Sequence, residues 1–109
     1  MPLVSAGLTT HVLDIARGRP AAGVAITLVR DDEVIATAVT NADGRATLLH
    51  TIDAGVYELR FAVGDYFGGG GEPPFLDVVP VRFGVSDPEA HHHVPLLVAP
   101  WAYSTYRGS

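Results

Sequence analysis

The chain has no cysteine, no lysine, one tryptophan and no long apolar run. Without cysteine there is neither a disulfide framework nor a thiolate metal site, and the redox state of the compartment does not constrain the fold. The seven basic residues are all arginine, scattered from Arg17 to Arg107 and outnumbered by 12 acidic ones. The formal charge of -5 offers no basic footprint and argues against nucleic acid as a partner. No stretch approaches the ~18 apolar residues needed to span a bilayer. Residues 1–7 lack the charged and apolar regions of a secretory signal, and the terminal Tyr106-Arg107-Gly108-Ser109 is not a peroxisomal address. A cytoplasmic protein with no membrane partner is expected.

What is present is largely apolar. Hydrophobic residues make up 48% of the chain and charged ones 17%, the latter below the ~25% usual for a soluble domain. The 109 residues suit one domain, 1–109, with a single core that buries about two-thirds of the unfolded surface. Apolar surface beyond what one core can use points to a partner subunit.

The apolar runs are short, β-branched and separated by Gly, Pro, Asn and Asp, which is the pattern of an all-β chain. Strands are expected at 8–14, 24–30, 34–40, 45–49, 56–63, 78–85, 91–98 and 102–107. Turns fall at Arg17-Gly18-Arg19-Pro20, at the polar hairpin connection Asp31-Asp32-Glu33, and at Asn41-Ala42-Asp43-Gly44. The four glycines Gly68 to Gly71 are too flexible for a strand interior, and Asp65-Tyr66-Phe67 before them suits a single helical turn. Eight strands at this spacing make a sandwich or barrel. In the strand 91–98, alternation puts His91, His93 and Leu97 on one face and His92, Val94, Leu96 and Val98 on the other. Neither face suits water, so both should be covered, the outer one by another subunit or a ligand.

Five histidines are present, three of them adjacent. Only His91 and His93 share a side of the strand, and such a pair can form half of a zinc site or simply be solvated. No third ligand follows at a characteristic spacing, so no metal is expected. His11 lies mid-strand where a hydrophobe or threonine is the default; alone it reads as structural, and its interest lies in combination with other groups. An imidazole titrating near ~6.5 can accept a proton from water at neutral pH. His50, at a strand end, reads as structural. Arg45, just after a turn, is either solvated or aimed at an anion or polarised carbonyl, and Arg107 has the same two readings. There is no Gly-x-Ser-x-Gly elbow, no cysteine nucleophile and no P-loop. From residues alone, the chain is an acidic all-β oligomer whose His and Arg set suits metal-free acid–base work on a polar, anionic substrate.

Three segments together resemble the transthyretin-like 5-hydroxyisourate hydrolases. The first is Leu8-Thr9-Thr10-His11-Val12-Leu13-Asp14 with Gly18-Arg19-Pro20-Ala21, and the second is Asp43-Gly44-Arg45. The third is His91-His92-His93-Val94-Pro95-Leu96-Leu97 running into Tyr103-Ser104-Thr105-Tyr106-Arg107-Gly108-Ser109. The likeness covers nearly the whole chain, and the terminal Tyr-Arg-Gly-Ser separates the hydrolase branch from the hormone-carrying transthyretins. The resemblance implies a transthyretin-like sandwich of two four-stranded sheets with at most one short helix, assembled as a homotetramer that is a dimer of dimers. It implies hydrolysis of 5-hydroxyisourate in urate degradation without cofactor. Carried over position by position, the catalytic set is His11, Arg45 and His93, and Tyr106, Arg107, Gly108 and Ser109 bind the substrate. His92 stands where that family commonly has an aromatic residue, and Gly68 to Gly71 replace a more varied loop. The rival readings are a small-ligand carrier and a structural sandwich domain.

Overall fold

Along the first strand, Leu8, Thr10, Val12 and Asp14 are buried while Thr9, His11 and Leu13 are only half-buried, the period-two signature of a strand with one face on a core. The computed structural model describes residues 7–68 and 71–109. Within them lie β1 (Gly7–Asp14), β2 (Arg19–Pro20), β3 (Ala25–Arg30), β4 (Glu33–Val39), β5 (Arg45–Leu49), β6 (Gly55–Ala62), α1 (Val63–Phe67), β7 (Val78–Val85), β8 (His91–His93), β9 (Leu96–Ala99) and β10 (Ala102–Thr105). All eight expected strands are present, with ends shifted by a residue or two. Residues 1–6, which hold most of the stretch where no secretory signal is expected, and Gly69 and Gly70 of the four-glycine run lie outside the described residues. Among the described residues, no helix is long and apolar enough to cross a membrane.

One sheet is antiparallel with the order β4-β3-β6-β7. The other is built on β1. The Val12 N–H donates to Gly44 C=O and the Ala21 N–H donates to Val12 C=O, so the β5 and β2 segments share one edge of β1. Along the opposite edge β8 and β9 run parallel to β1, and β10 pairs antiparallel with β9. Six segments thus make four lanes, which reconciles this sheet with the expected four strands.

The strand expected at 91–98 is interrupted at Val94-Pro95, because proline has no N–H for the ladder. Parity survives the break. His92, Val94, Leu96 and Val98 are buried, while His91 is exposed and His93 and Leu97 are half-buried. The inner faces of the two sheets meet in a core of Leu8, Val12, Ile26, Leu28, Phe61 and Leu96.

Two local devices hold the ends of the sandwich. The hairpin β3–β4 turns on Asp31 and Asp32 alone, both with positive φ (52° and 63°), and Glu33 already belongs to β4. At the end of β1, buried Asp14 accepts hydrogen bonds from the Ala16 and Arg17 N–H groups, the Arg17 guanidinium and the Tyr66 hydroxyl. Burial alone would raise its pKa. The bonds from Arg17 and Tyr66 and the Arg17 charge outweigh that and hold the carboxyl below its ordinary value. Asp14 thereby ties β1 to α1.

Candidate active site

The turn before β5 positions the first two groups. Asn41 Oδ1 accepts the N–H of Asp43 and of Arg45, and Gly44 adopts φ 76° with its backbone pressed against β1. A Cβ at position 44 would run into the Val12 carbonyl, so only glycine brings the turn this close. Docked in this way, the turn presents the Asp43 carbonyl to His11, whose Nε2–H donates to it at 2.9 Å. A carbonyl can only accept, so this bond puts the neutral ring's proton on Nε2 and leaves Nδ1 basic. His11 and Arg45 are register partners in the β1–β5 ladder, and their side chains project from the same face.

On the other edge of β1, Thr9 is the register partner of His93, two residues from His11 and on the same face. Its hydroxyl lies 2.8 Å from His93 Nδ1 and 2.9 Å from His91 Nε2, so it bridges the two imidazoles. Both rings turn a nitrogen to this one oxygen. Among the described residues, no cluster of three or more His, Cys, Asp or Glu side chains is arranged to hold a metal.

The terminal segment folds back to the same place. After β10 ends at Thr105, the Gly108 N–H donates to the His93 carbonyl at 2.8 Å and forms an isolated antiparallel bridge. Any side chain at 108 would overlap the His93 ring, so this contact also requires glycine. Tyr106 and Arg107 then line a cleft of about 270 Å³ with His92, His93, Val94 and Phe83. His93 stands where that cleft meets the outer face of the sheet. Ser109 is exposed beyond Gly108.

His93 is held below the ordinary histidine value of 6.5, first by burial and then by the positive charge of Arg45, with His91 and His11 adding to the effect; a hydrogen bond at Thr9 opposes it. The charged groups acting on this ring are all cationic. An acidic protein has therefore gathered a basic face at one place, which suits a substrate that is, or becomes, anionic.

The structure thus brings His11, Arg45 and His93 to one sheet face and seats Gly108 on His93. Among the described residues, no hydrogen bond joins the three directly. His50 is exposed just past β5, and His92 points to the inner face with a buried Nδ1 that has no partner among the described residues. Nothing in the sequence singles out Thr9. Its parity with His11 is the one local signal, and its contact with two histidines more than 80 residues away appears only in the sheet.

The model of the HIUase/Transthyretin family matches residues 8–108. The chain belongs to this family. Within it, a protein of Deinococcus radiodurans named 5-hydroxyisourate hydrolase is 56% identical over 114 aligned positions, covering 94% of this chain and 96% of the relative. The structure of Klebsiella pneumoniae 5-hydroxyisourate hydrolase matches with a TM-score of 0.84 at 39% identity, over 94% of this chain and 97% of that one. Sea bream transthyretin, solved with thyroxine, matches with a TM-score of 0.79 at 34% identity, over 93% of each chain. The HIUase/Transthyretin fold is therefore shared by proteins of two functions, and the fold alone does not choose between them.

Proposed function

We propose that the chain is a 5-hydroxyisourate hydrolase that opens the cyclic amide of its substrate to 2-oxo-4-hydroxy-4-carboxy-5-ureidoimidazoline without metal or cofactor. The observation that carries this reading is the clasp of Gly108 on His93. It places the terminal Tyr-Arg-Gly-Ser on an imidazole of depressed basicity beside Arg45 and His11. An apolar carrier channel has no use for such a cluster.

Hydrolysis of an amide needs an activated water, a stabiliser for the oxyanion and a proton for the leaving nitrogen. His93 Nδ1 is engaged by Thr9, so Nε2 is the atom left to take a proton from water. The hydroxide oxygen adds to the carbonyl carbon, and the Arg45 guanidinium meets the negative charge that develops on the carbonyl oxygen. The C–N bond then breaks, and the proton returns to the departing nitrogen from His93 or by way of His11 Nδ1. One water is consumed and no group is left on the protein. Tyr106, Arg107 and Ser109 hold the ring from the terminal side. Half-exposed Leu13 and Leu97, register partners on the same face, suit cover by further copies in a dimer of dimers.

The test is the ultraviolet decay of 5-hydroxyisourate, freshly made from urate by urate oxidase, with and without the protein and a chelator. Accelerated decay that survives the chelator is expected. Acceleration lost to the chelator would revive a metal at His91 and His93. No acceleration would overturn the hydrolase reading and turn attention to ligand binding.

A further inference from the structure

We infer that Thr9 is a positioning residue whose hydroxyl couples the two histidines it bridges, so that the charge on His91 decides which ring nitrogen of His93 carries the proton. The inference rests on the hydrolase reading for its catalytic consequence, though not for the coupling itself.

A hydroxyl has one proton to give, and each neutral imidazole nitrogen either donates or accepts. Thr9 Oγ1 lies within hydrogen-bond distance of His93 Nδ1 (2.8 Å) and His91 Nε2 (2.9 Å), so both bonds exist together only if one ring donates and the other accepts. In the first arrangement His93 Nδ1–H donates to Oγ1, the hydroxyl donates to His91 Nε2, and His93 Nε2 is bare. In the second, His91 Nε2–H donates to Oγ1, the hydroxyl donates to His93 Nδ1, and the proton of His93 sits on Nε2. With His91 neutral both are open, and only the first can take a proton from water. With His91 charged, Nε2 of that ring must donate and the second alone remains. A charged His91 therefore disarms His93 without a proton being added to the His93 ring.

The oxygen between the rings is firmly placed. Threonine is stiff at χ1, Thr9 lies inside β1, and its carbonyl accepts the Val94 N–H at 3.0 Å. His91 is exposed, so solvent reaches its ring. The other ionisable groups about His93 are Arg45 on β5, His11 on β1, Arg82 on β7, His92 beside it on β8, and Tyr106 and Arg107 on the terminal segment. The arginines keep their charge across the working range, and among the described residues none of these groups bonds to the Thr9 hydroxyl. His91 is left as the group that throws the switch.

Two variants and one spectrum test this. Thr9→Val keeps the shape and removes the hydroxyl; Thr9→Ser keeps the hydroxyl. In the decay assay, T9V should lower kcat by about tenfold or more with KM within about twofold, and T9S should recover to within about threefold of the parent. The acid limb of kcat should change form in T9V and not in T9S. Independently of turnover, nitrogen–proton correlation spectra of the ring should show His93 moving from Nδ1–H toward Nε2–H as His91 titrates in the parent and in T9S. In T9V that movement should vanish. If the His93 tautomer ignores His91 in the parent, or T9V keeps its kcat and acid limb, the inference falls. A parent that shows the tautomer coupling yet does not accelerate decay refutes the hydrolase reading and leaves the coupling standing.

Discussion

At the scale of single residues, the proposed chemistry depends most on His93. His93→Ala should reduce turnover by about a hundredfold or more, since general acid–base work is of that size, with little loss of stability because the ring is half-exposed. Just below the ordinary histidine value of 6.5 the depressed His93 ring is still neutral, so activity lost there should follow the His93 tautomer rather than its charge, as ring-nitrogen spectra beside the decay assay would show. Stability depends on the charge itself. The unfolded chain takes up this proton near 6.5 and the folded one only at lower pH, so stability falls as pH drops through that window. His93→Gln should flatten the slope, as thermal melts across the window would show. His92 is a different case. Its buried Nδ1 lacks a partner among the described residues, and an unmet polar atom costs about 1–3 kcal/mol. His92→Phe should therefore raise the unfolding free energy by about 1 kcal/mol, read as a higher denaturation midpoint at unchanged m-value.

At the scale of elements, the site is made by three junctions with β1 at their centre. The Asn41–Gly44 turn sets Arg45 opposite His11, the short β8 sets His93 opposite Thr9, and the terminal segment closes on His93 through Gly108. Removing residues 106–109 should abolish turnover and leave a folded protein, because the core contains none of them. Gly108→Ala should act in the same direction, since its Cβ would displace the His93 ring. Circular dichroism beside the decay assay would separate lost activity from lost fold. Pro95 explains why the last long strand is two pieces. It interrupts pairing yet preserves parity, so His91 and His93 stay on the outer face.

At the scale of the whole molecule, the sheet face that carries His11, Arg45 and His93 also carries half-exposed leucines, and a solvated enzyme rarely leaves such a face bare. Light scattering at assay concentration should report the mass of four chains. A monomer with full activity would remove the proposed role of a neighbouring copy in covering the site.

The sequence by itself determined the all-β class, the strand positions and the parity of the histidine strand. Period-two alternation and turn residues are local signals, and they hold wherever one face is buried. It also marked His11, Arg45, His93 and the terminal tetrapeptide, through their resemblance to a family rather than through spacing. Only the tertiary structure decided which of these groups meet. The pairing of β1 with β5 on one edge and β8 on the other joins residues about 34 and 84 positions apart in the chain, and no local pattern encodes a register between distant strands. Thr9 shows this most clearly: one hydroxyl on β1 reaches two distant imidazoles because parallel pairing happens to put it opposite His93.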